Sequence, residues 1–266
     1  MNMSLIHDKL LFGVPNISAY ADPRLENYPL MGSPFQIIMI LTTYVVFVKK
    51  TGPALMKDRP PMKLDKVIMV YNWVQIILNT AVFLIAIVEW NNFSFVCSPM
   101  DQSHNRLAIK IMQLQYSYTL LKFLDLLDTV FFVLRKKDNQ VTFLHLYHHL
   151  LMASFGWVGC KFFAGGQVYY LGIVNLPVHS VMYFYYFLTA WDSSYKQSIW
   201  WKKHLTQLQI VQHLFVFTAF LIPFLNPNCS YPKTLLGVYL INAVVMIYLF
   251  SKFYVKTYIK KKEKAQ

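Results

Sequence analysis

The chain has 266 residues, of which 56% are hydrophobic and only 14% are charged. A composition this apolar is typical of an integral membrane protein, and although the net charge is +13, no polar domain remains that would bind nucleic acid. The sequence predicts an all-α membrane domain over 34–254, preceded by a polar, proline-containing lumenal segment over 1–33 and followed by a basic tail over 255–266.

Seven apolar segments are long enough to cross a bilayer as helices, which takes roughly 20 residues. The predicted spans are 34–48, 67–88, 108–134, 142–162, 168–190, 205–225 and 234–254. Lysine and arginine are concentrated in the loops after the first, third and fifth spans and in the tail. The positive-inside rule therefore places the N-terminus in the lumen and the C-terminus in the cytosol, with the basic loops facing anionic lipid. Three prolines, at Pro53, Pro60 and Pro61, predict that the loop over 51–64 is not helical.

The glycosylation motifs and the cysteines lie on the predicted lumenal side. Asn-x-Ser motifs begin at Asn2, Asn16, Asn92 and Asn228. Asn2 and Asn16 are the candidates for modification, because the other two lie close to the bilayer. Cys97 and Cys229 fall in loops of an oxidising compartment, whereas Cys160 ends a span. We predict a disulfide between Cys97 and Cys229 and a reduced Cys160.

The third span carries charged residues that are costly inside a bilayer. Lys122 and Asp125 are three residues apart, and Asp128 and Thr129 follow one helical turn later. Lys122 and Asp125 could simply neutralise each other as a buried pair. That structural role does not account for Asp128 and Thr129, so the sequence indicates a polar site at this depth.

The fourth span contains three histidines on one helical face. His145, His148 and His149 stand at positions i, i+3 and i+4, which are neighbours at 3.6 residues per turn. A single buried histidine is commonly a satisfied core residue. Three on one face inside a membrane span favour a functional site instead.

The fifth and sixth spans each carry a row of polar side chains at helical spacing. These are Asn175, His179, Tyr183, Thr206, Gln209 and Gln212. Taken singly, such side chains can do no more than bond neighbouring helices. With a rise of ~1.5 Å per residue, however, they and the histidines share the half of the membrane nearer the basic loops. We therefore predict a polar cavity open to the cytosol above an apolar lumenal end, which suits a lipid chain with a polar head.

In their order along the chain, these motifs resemble those of eukaryotic very-long-chain fatty-acid elongases. At Gln140 the chain resembles the animal members of that family. The resemblance rests on Asp22-Pro23-Arg24, Tyr71-Asn72, Lys122 with Asp125, Asp128 and Thr129, Leu134-Arg135-Lys136-Lys137, the histidine motif, Asn175 to His179, and Thr206 with Gln209 and Gln212. Asp125 departs from the family, since many members have Glu there. The resemblance implies seven transmembrane helices, six of which form an inverted barrel around an acyl tunnel.

The resemblance also implies the reaction and its setting. Malonyl-CoA would condense with a long- or very-long-chain acyl-CoA, giving 3-oxoacyl-CoA, CO2 and CoA without a cofactor or metal. The location would be the endoplasmic reticulum membrane, and Lys262 and Lys264 resemble a lysine retrieval signal. The implied partners are the 3-ketoacyl-CoA reductase, dehydratase and enoyl reductase of the elongation cycle, and homo- or hetero-oligomers stay open.

Imidazole can attack a thioester to form an acyl-imidazole, and the resemblance assigns this role to His148. His145 or His149 would orient it or act as base, and His179 would assist the transfer or stabilise the malonyl-derived enolate. Asn175 is a candidate donor to a developing oxyanion. The other residues implied to bind substrate are Lys122, Asp125, Asp128, Thr129, Tyr183, Thr206, Gln209 and Gln212. Those implied to hold the CoA phosphates are Arg135, Lys136, Lys137, Lys202 and Lys203.

Two other classes of membrane protein remain as alternatives. Di-iron desaturases and hydroxylases also carry His-x-x-His-His, but they need several such motifs, and the other histidines of this chain, eight in all, form no second one. A transporter would use Lys122 and the aspartates as an ion path, although the histidine cluster argues against it. A cysteine-based condensing enzyme is excluded, because no cysteine reaches the cytosolic half.

Overall fold

The computed structural model describes residues 21–259, which fold into helices and contain no strand. The helices are α1 Pro34–Met56, α2 Asp65–Ile87, α3 Arg106–Leu124, α4 Leu126–Leu134, α5 Phe143–Phe163, α6 Tyr169–Trp191, α7 Ile199–Leu225 and α8 Lys233–Tyr254. Five of them, α1, α2, α6, α7 and α8, are long and apolar enough to cross a membrane. The two remaining predicted spans correspond to α3 with α4 and to α5. These two segments contain Lys122, the two aspartates and the three histidines of the histidine motif, and such polar side chains lower the mean hydropathy of a segment.

The prediction that the loop over 51–64 is not helical was wrong for its first residues, and the first and the last helix both extend beyond the predicted spans. α1 continues beyond residue 48 through a π turn at Phe47–Thr51 and a helical turn at Gly52–Met56, so that only 57–64 forms the link. Proline is tolerated there because Pro53 begins the turn that follows the π turn, where its missing N–H matters least. Similarly, α8 continues into a π turn at Val255–Ile259, which the prediction assigned to the tail.

Gly52 permits α1 to pack closely against α4. A Cβ atom at this position would lie 2.7 Å from the carbonyl oxygen of Phe47 and 2.7 Å from Cγ1 of Val133. Neither atom has room to move, since both belong to packed helices. The close approach of the two helices therefore requires glycine.

The predicted third span is interrupted at Asp125, which ends α3 and precedes α4. The interruption leaves the carbonyl oxygen of Leu124 available, and it accepts a hydrogen bond from the hydroxyl of Tyr71 at 3.1 Å. A backbone carbonyl inside a membrane domain needs such a partner. The break therefore ties α2 to the point where α3 becomes α4.

Six helices contact one another in a closed circuit. α2 packs on α6, α6 on α7, α7 on α8, α8 on α5, α5 on α3 and α3 on α2. α1 packs against α4. We call the helix ends near Arg135 to Lys137 and Lys202 the basic face, and the opposite ends, near Cys97 and Cys229, the disulfide face.

The half of the circuit nearer the disulfide face is less apolar than predicted. Tyr118 and Tyr231 are buried there, and neither hydroxyl has a hydrogen-bond partner among residues 21–259. The amide nitrogen of Gln115 is likewise buried without a partner in that range. The prediction of an apolar end took no account of these polar groups on α3 and in the loop before α8.

The disulfide face is held together by the N-terminal segment and one disulfide. The backbone N–H of Asp22 donates to the carbonyl of Lys161, and Arg24 binds the Asp22 carboxylate. Cys97 and Cys229 are joined with their Cα atoms 5.4 Å apart, the pairing that the sequence predicts, and Cys160 is buried and free. Residues outside the description include the glycosylation candidates Asn2 and Asn16 and the retrieval signal at Lys262 and Lys264.

Replacing Cys97 by serine is expected to lower the free energy of unfolding by about 2–5 kcal/mol, because the disulfide closes a long loop. Under denaturing, non-reducing conditions, a maleimide should label one thiol in the wild-type protein and two in Cys97→Ser. Cys160→Ala serves as the control, since it should leave no reactive thiol. Labelling of Cys97 or Cys229 in the unreduced wild type would contradict the disulfide.

Candidate functional site

The three histidines of α5 lie at the start of that helix, next to the basic face. The side chain of Thr142 caps the helix by accepting a hydrogen bond from the backbone N–H of His145 at 3.2 Å. The rings of His145 and His149 contact each other at an interplanar angle of 50°, with centroids 4.2 Å apart. The centroids of His148 and His149 are 5.9 Å apart. The helical spacing therefore brings the imidazoles together as predicted.

His145 is held by a chain of hydrogen bonds that crosses three helices. Its Nε2 atom lies 2.8 Å from the hydroxyl oxygen of Thr129 on α4. Thr129 in turn lies 2.6 Å from the hydroxyl of Tyr44 on α1. Both contacts are largely removed from water, so they fix the orientation of the His145 ring.

His148 has no such anchor. Its Nδ1 atom is buried and has no hydrogen-bond partner among residues 21–259. The ring instead lies against aromatic neighbours, with centroid distances of 6.2 Å to His213 and 6.1 Å to Phe250. A buried imidazole nitrogen without a partner is uncommon in proteins. It leaves a lone pair or an N–H group available to a substrate.

Lys122 is the centre of a second group of polar residues. Its Nζ atom donates to Oδ2 of Asp125 at 2.7 Å and to Oδ1 of Asn175 at 2.9 Å. It also lies 3.3 Å from Nδ1 of His179, an atom equally distant from Oδ2 of Asp125. An ammonium group this buried is stable only when its donors are matched in this way. The cluster joins α3 to α6 and fixes the His179 ring.

The two aspartates are bridged by a single hydroxyl. Tyr183 Oη lies 2.9 Å from Oδ1 of Asp125 and 2.8 Å from Oδ2 of Asp128. Gln75 Nε2 donates to the same oxygen of Asp125 at 2.9 Å and to the Tyr71 hydroxyl at 3.0 Å. We call Asp125, Asp128, Tyr183 and Gln75 the carboxylate network.

The predicted residues of α7 are placed less centrally. Thr206 donates to the carbonyl of Lys202 in its own helix, and Gln209 contacts the sulfur of Met182 at 3.8 Å. Gln212 is buried. In the described part of the chain, none of the three is hydrogen-bonded to a histidine of α5 or to the carboxylate network.

The basic residues line the rim at the basic face. Arg135 forms an ion pair with Asp65 at 3.0 Å, and Lys136 donates to the carbonyl of Lys57 at 3.1 Å. Lys202 donates to the carbonyl of Lys196. Lys136, Lys137 and Lys202 are exposed, and Lys203 is half-buried.

Three residues of the site were absent from the predicted set: Gln75, Tyr44 and His213. Gln75 could have been found, because with Tyr71 and Asn79 it forms a row of polar residues at spacings of four on α2. Tyr44 gave no signal, because the predicted first span contains no charged residue or histidine. His213 continues the polar face of α7, but only the fold shows that it meets His148.

Comparison with known proteins identifies the family of this chain. Residues 29–266 match the family model described as "ELO: GNS1/SUR4 family". The human very long chain fatty acid elongase 4 is 40% identical over 246 residues, covering 91% of this chain and 77% of its own length. Rat elongase 7 is 39% identical over 243 residues, with 90% and 86% covered, and mouse elongase 1 is 37% identical over 247 residues, with 91% and 88% covered. The chain therefore belongs to the ELO family, together with the very long chain fatty acid elongases that it resembles over most of its length.

Proposed function

We propose that this protein is the condensing enzyme of very-long-chain fatty acid elongation, a 3-oxoacyl-CoA synthase that joins malonyl-CoA to an acyl-CoA. Membership of the ELO family supports a role in fatty acid elongation. The products of the condensation are 3-oxoacyl-CoA, CO2 and free CoA. Both CoA thioesters are substrates, and the residues described above act without a resident cofactor.

The observation that carries the mechanism is the unpartnered Nδ1 atom of His148. In the first half-reaction this nitrogen attacks the thioester carbon of acyl-CoA, the C–S bond breaks, and its electron pair passes to sulfur. The proton that His148 carried on its other nitrogen leaves with CoA as the thiol. An acyl-imidazole remains, and a site closed to water protects it from hydrolysis.

In the second half-reaction, malonyl-CoA loses CO2 to give an enolate. The enolate carbon attacks the acyl carbon, and the C–N bond to His148 breaks. Nδ2 of Asn175 is the candidate donor to the developing oxyanion, because Oδ1 of Asn175 accepts from Lys122. His145 and His149 flank His148 and hold its surroundings, while His179 faces the reaction from α6.

The six-helix circuit supports a barrel with an acyl tunnel along its axis. In this proposal α3 with α4 and α5 also cross the membrane, which makes seven spans. Their polar residues face the interior of the circuit rather than lipid, which is how intramembrane charges are tolerated. Thr206, Gln209 and Gln212 would contact the part of the substrate nearest the basic face.

The basic face would look toward the cytosol from the endoplasmic reticulum membrane, with the N-terminus lumenal. Arg135, Lys136, Lys137, Lys202 and Lys203 lie where CoA phosphates would approach, and exposed ammonium and guanidinium groups are suited to bind them. The reductases and dehydratase of the elongation cycle would then take up the product on the same side. Homo- or hetero-oligomers would place successive enzymes close together.

The test is to incubate the purified protein with acyl-CoA in the absence of malonyl-CoA. About one CoA should be released per site, and intact-mass analysis should show one acyl adduct on the peptide that contains His148. Iron chelation should change neither result. Full condensation without adduct or early CoA release would mean that the enolate attacks bound thioester directly. Loss of activity on iron removal would favour the oxidase alternative.

A further inference from the structure

The proton balance of the proposed function leaves one proton to be supplied. The first half-reaction is balanced, because the proton of His148 leaves with CoA. When His148 is released from the acyl carbon in the second half-reaction, however, its nitrogen needs a proton that malonyl-CoA does not provide. A buried donor is therefore required next to a site that excludes water.

If both aspartates were ionised, the carboxylate network would have two contacts between Tyr183 and an aspartate but only one proton to form them. Tyr183 has a single hydroxyl proton, yet its oxygen is within hydrogen-bond distance of Asp125 and of Asp128. Ionised carboxylates only accept hydrogen bonds. Two carboxylates that close to one hydroxyl share a proton, as like charges at a common site generally do. One of the aspartates is therefore a carboxylic acid.

The donors around each aspartate identify which one is protonated. Asp125 accepts from Lys122, Gln75 and Tyr183, which is the environment of a carboxylate. The hydrogen-bonding neighbours of Asp128 are two neutral hydroxyls, that of Tyr183 at 2.8 Å and that of Tyr71. The titratable groups that face Asp128 from the packed helices are Tyr44, Tyr71, Tyr183, Tyr186, Asp125 and Lys122. Lys122, the cation among them, is paired with Asp125.

We propose that Asp128 is a buried carboxylic acid that supplies the missing proton through Tyr183, Asp125 and Lys122 to His179. Asp128 passes its proton to the Tyr183 oxygen at 2.8 Å, and Tyr183 passes its own to Oδ1 of Asp125 at 2.9 Å. Neutral Asp125 no longer balances the charge of Lys122. Lys122 then gives a proton to Nδ1 of His179 at 3.3 Å. In the last transfer His179 releases the proton on Nε2 to His148, a ring with which it interacts electrostatically.

This sequence of transfers conserves protons and charge. Asp128 ends as a carboxylate, Asp125 as a carboxylic acid, Lys122 as a neutral amine and His179 as the other neutral tautomer, with one proton delivered. The relay is reloaded from the side of Asp128, which is 7% exposed, against 2% for Asp125 and 1% for Lys122. Of the two buried aspartates, Asp128 is also the nearer to the basic face, where α4 ends at Leu134.

The test separates the two half-reactions in the purified full-length protein. Asp128→Asn keeps the size of the side chain and can still bond Tyr183, but it has no acidic proton to give. It should form 3-oxoacyl-CoA from labelled malonyl-CoA ~100-fold more slowly, the scale of one acid–base step. The release of CoA from acyl-CoA should fall by a much smaller factor, because Asp128 gives no proton in the first half-reaction. Tyr183→Phe should likewise slow the second half-reaction much more than the first.

The matched control is Tyr231→Phe, which removes a buried hydroxyl without a hydrogen-bond partner among the described residues and should change neither half-reaction. If the rate of the second half-reaction is unchanged in Asp128→Asn, the relay is wrong. It is also wrong if the rates of both half-reactions fall by the same factor. If Asp128→Asn does not fold, the wild type decides: its second half-reaction should be slower in D2O, and equal rates would refute the relay. A wild type without early CoA release would refute the covalent mechanism and this role with it.

Discussion

Replacing His148 by alanine is expected to reduce condensation by at least ~10⁴-fold, the order found when a covalent nucleophile is removed. The variant should release no CoA from acyl-CoA alone and carry no acyl adduct. The structural reason is that Nδ1 of His148 has no hydrogen-bond partner among residues 21–259, whereas Nε2 of His145 is bonded to Thr129. Radiolabelled malonyl-CoA incorporation and intact-mass analysis measure the two quantities.

Two further histidine variants make this result interpretable. His145→Ala should retain an adduct on His148 and lose only part of the rate, because the nucleophile is still present. His104→Ala should behave as the wild type, since His104 is exposed at the disulfide face. An adduct that persists in His148→Ala, on His149 or His179, would show that His148 has been given the wrong role.

Replacing Lys122 by methionine is expected to destabilise the protein by about 3–5 kcal/mol, the usual consequence of removing one partner of a buried ion pair. Lys122 and Asp125 are both almost fully buried and lie 2.7 Å apart. Without the ammonium group, an ionised Asp125 is an unpaired buried charge, which lowers the free energy of unfolding. If Asp125 instead takes up a proton, its contact with Nδ1 of His179 is weakened. Thermal unfolding in detergent measures the loss.

A more exposed ion pair provides the comparison. Lys110 binds Glu89 with more than a third of its side chain exposed, and Lys110→Met should cost no more than about 1 kcal/mol. The double variant Lys122→Met/Asp125→Leu should recover part of the stability lost in Lys122→Met, because no unpaired charge remains. Equal effects of Lys122→Met and Lys110→Met would mean that the buried pair is not the stabilising element inferred here.

The helical segments follow from local sequence, and the structure has each of them close to its predicted range. Apolar runs, the cap at Thr142 and flanking prolines are local signals. The prediction is wrong where a contact between helices outweighs these local signals. Pro53 predicts a loop that is not helical, but α1, which packs against Val133 at Gly52, stays helical through Met56. A hydroxyl from α2 stabilises the break at Asp125, which no pattern within the third span indicates.

Hydropathy alone does not identify all the predicted spans. Five helices are apolar enough to cross a membrane by composition, and α3 and α5 are not among them. Each histidine and charge of the site lowers the hydropathy of the helix that carries it. The segments that matter most to function are therefore those that composition identifies least well, and residue patterns had to supply the prediction.

Local sequence is enough to show which side chains are polar inside an apolar chain and on which helical face each lies, because the 3.6-residue period is a local property. These patterns predicted the histidine cluster, the Lys122–Asp125 pair and the family. Which faces meet depends on how the helices pack: Tyr183 lies between two aspartates, Gln75 contacts Asp125, Tyr44 lies behind Thr129 and His213 beside His148. Such contacts join residues up to 112 positions apart, as between Tyr71 and Tyr183, and depend on the order of helices around the circuit. Spacing along one helix carries no information about the rotation of its neighbour, so the proton count that distinguishes Asp128 from Asp125 could not be made before the helices were packed.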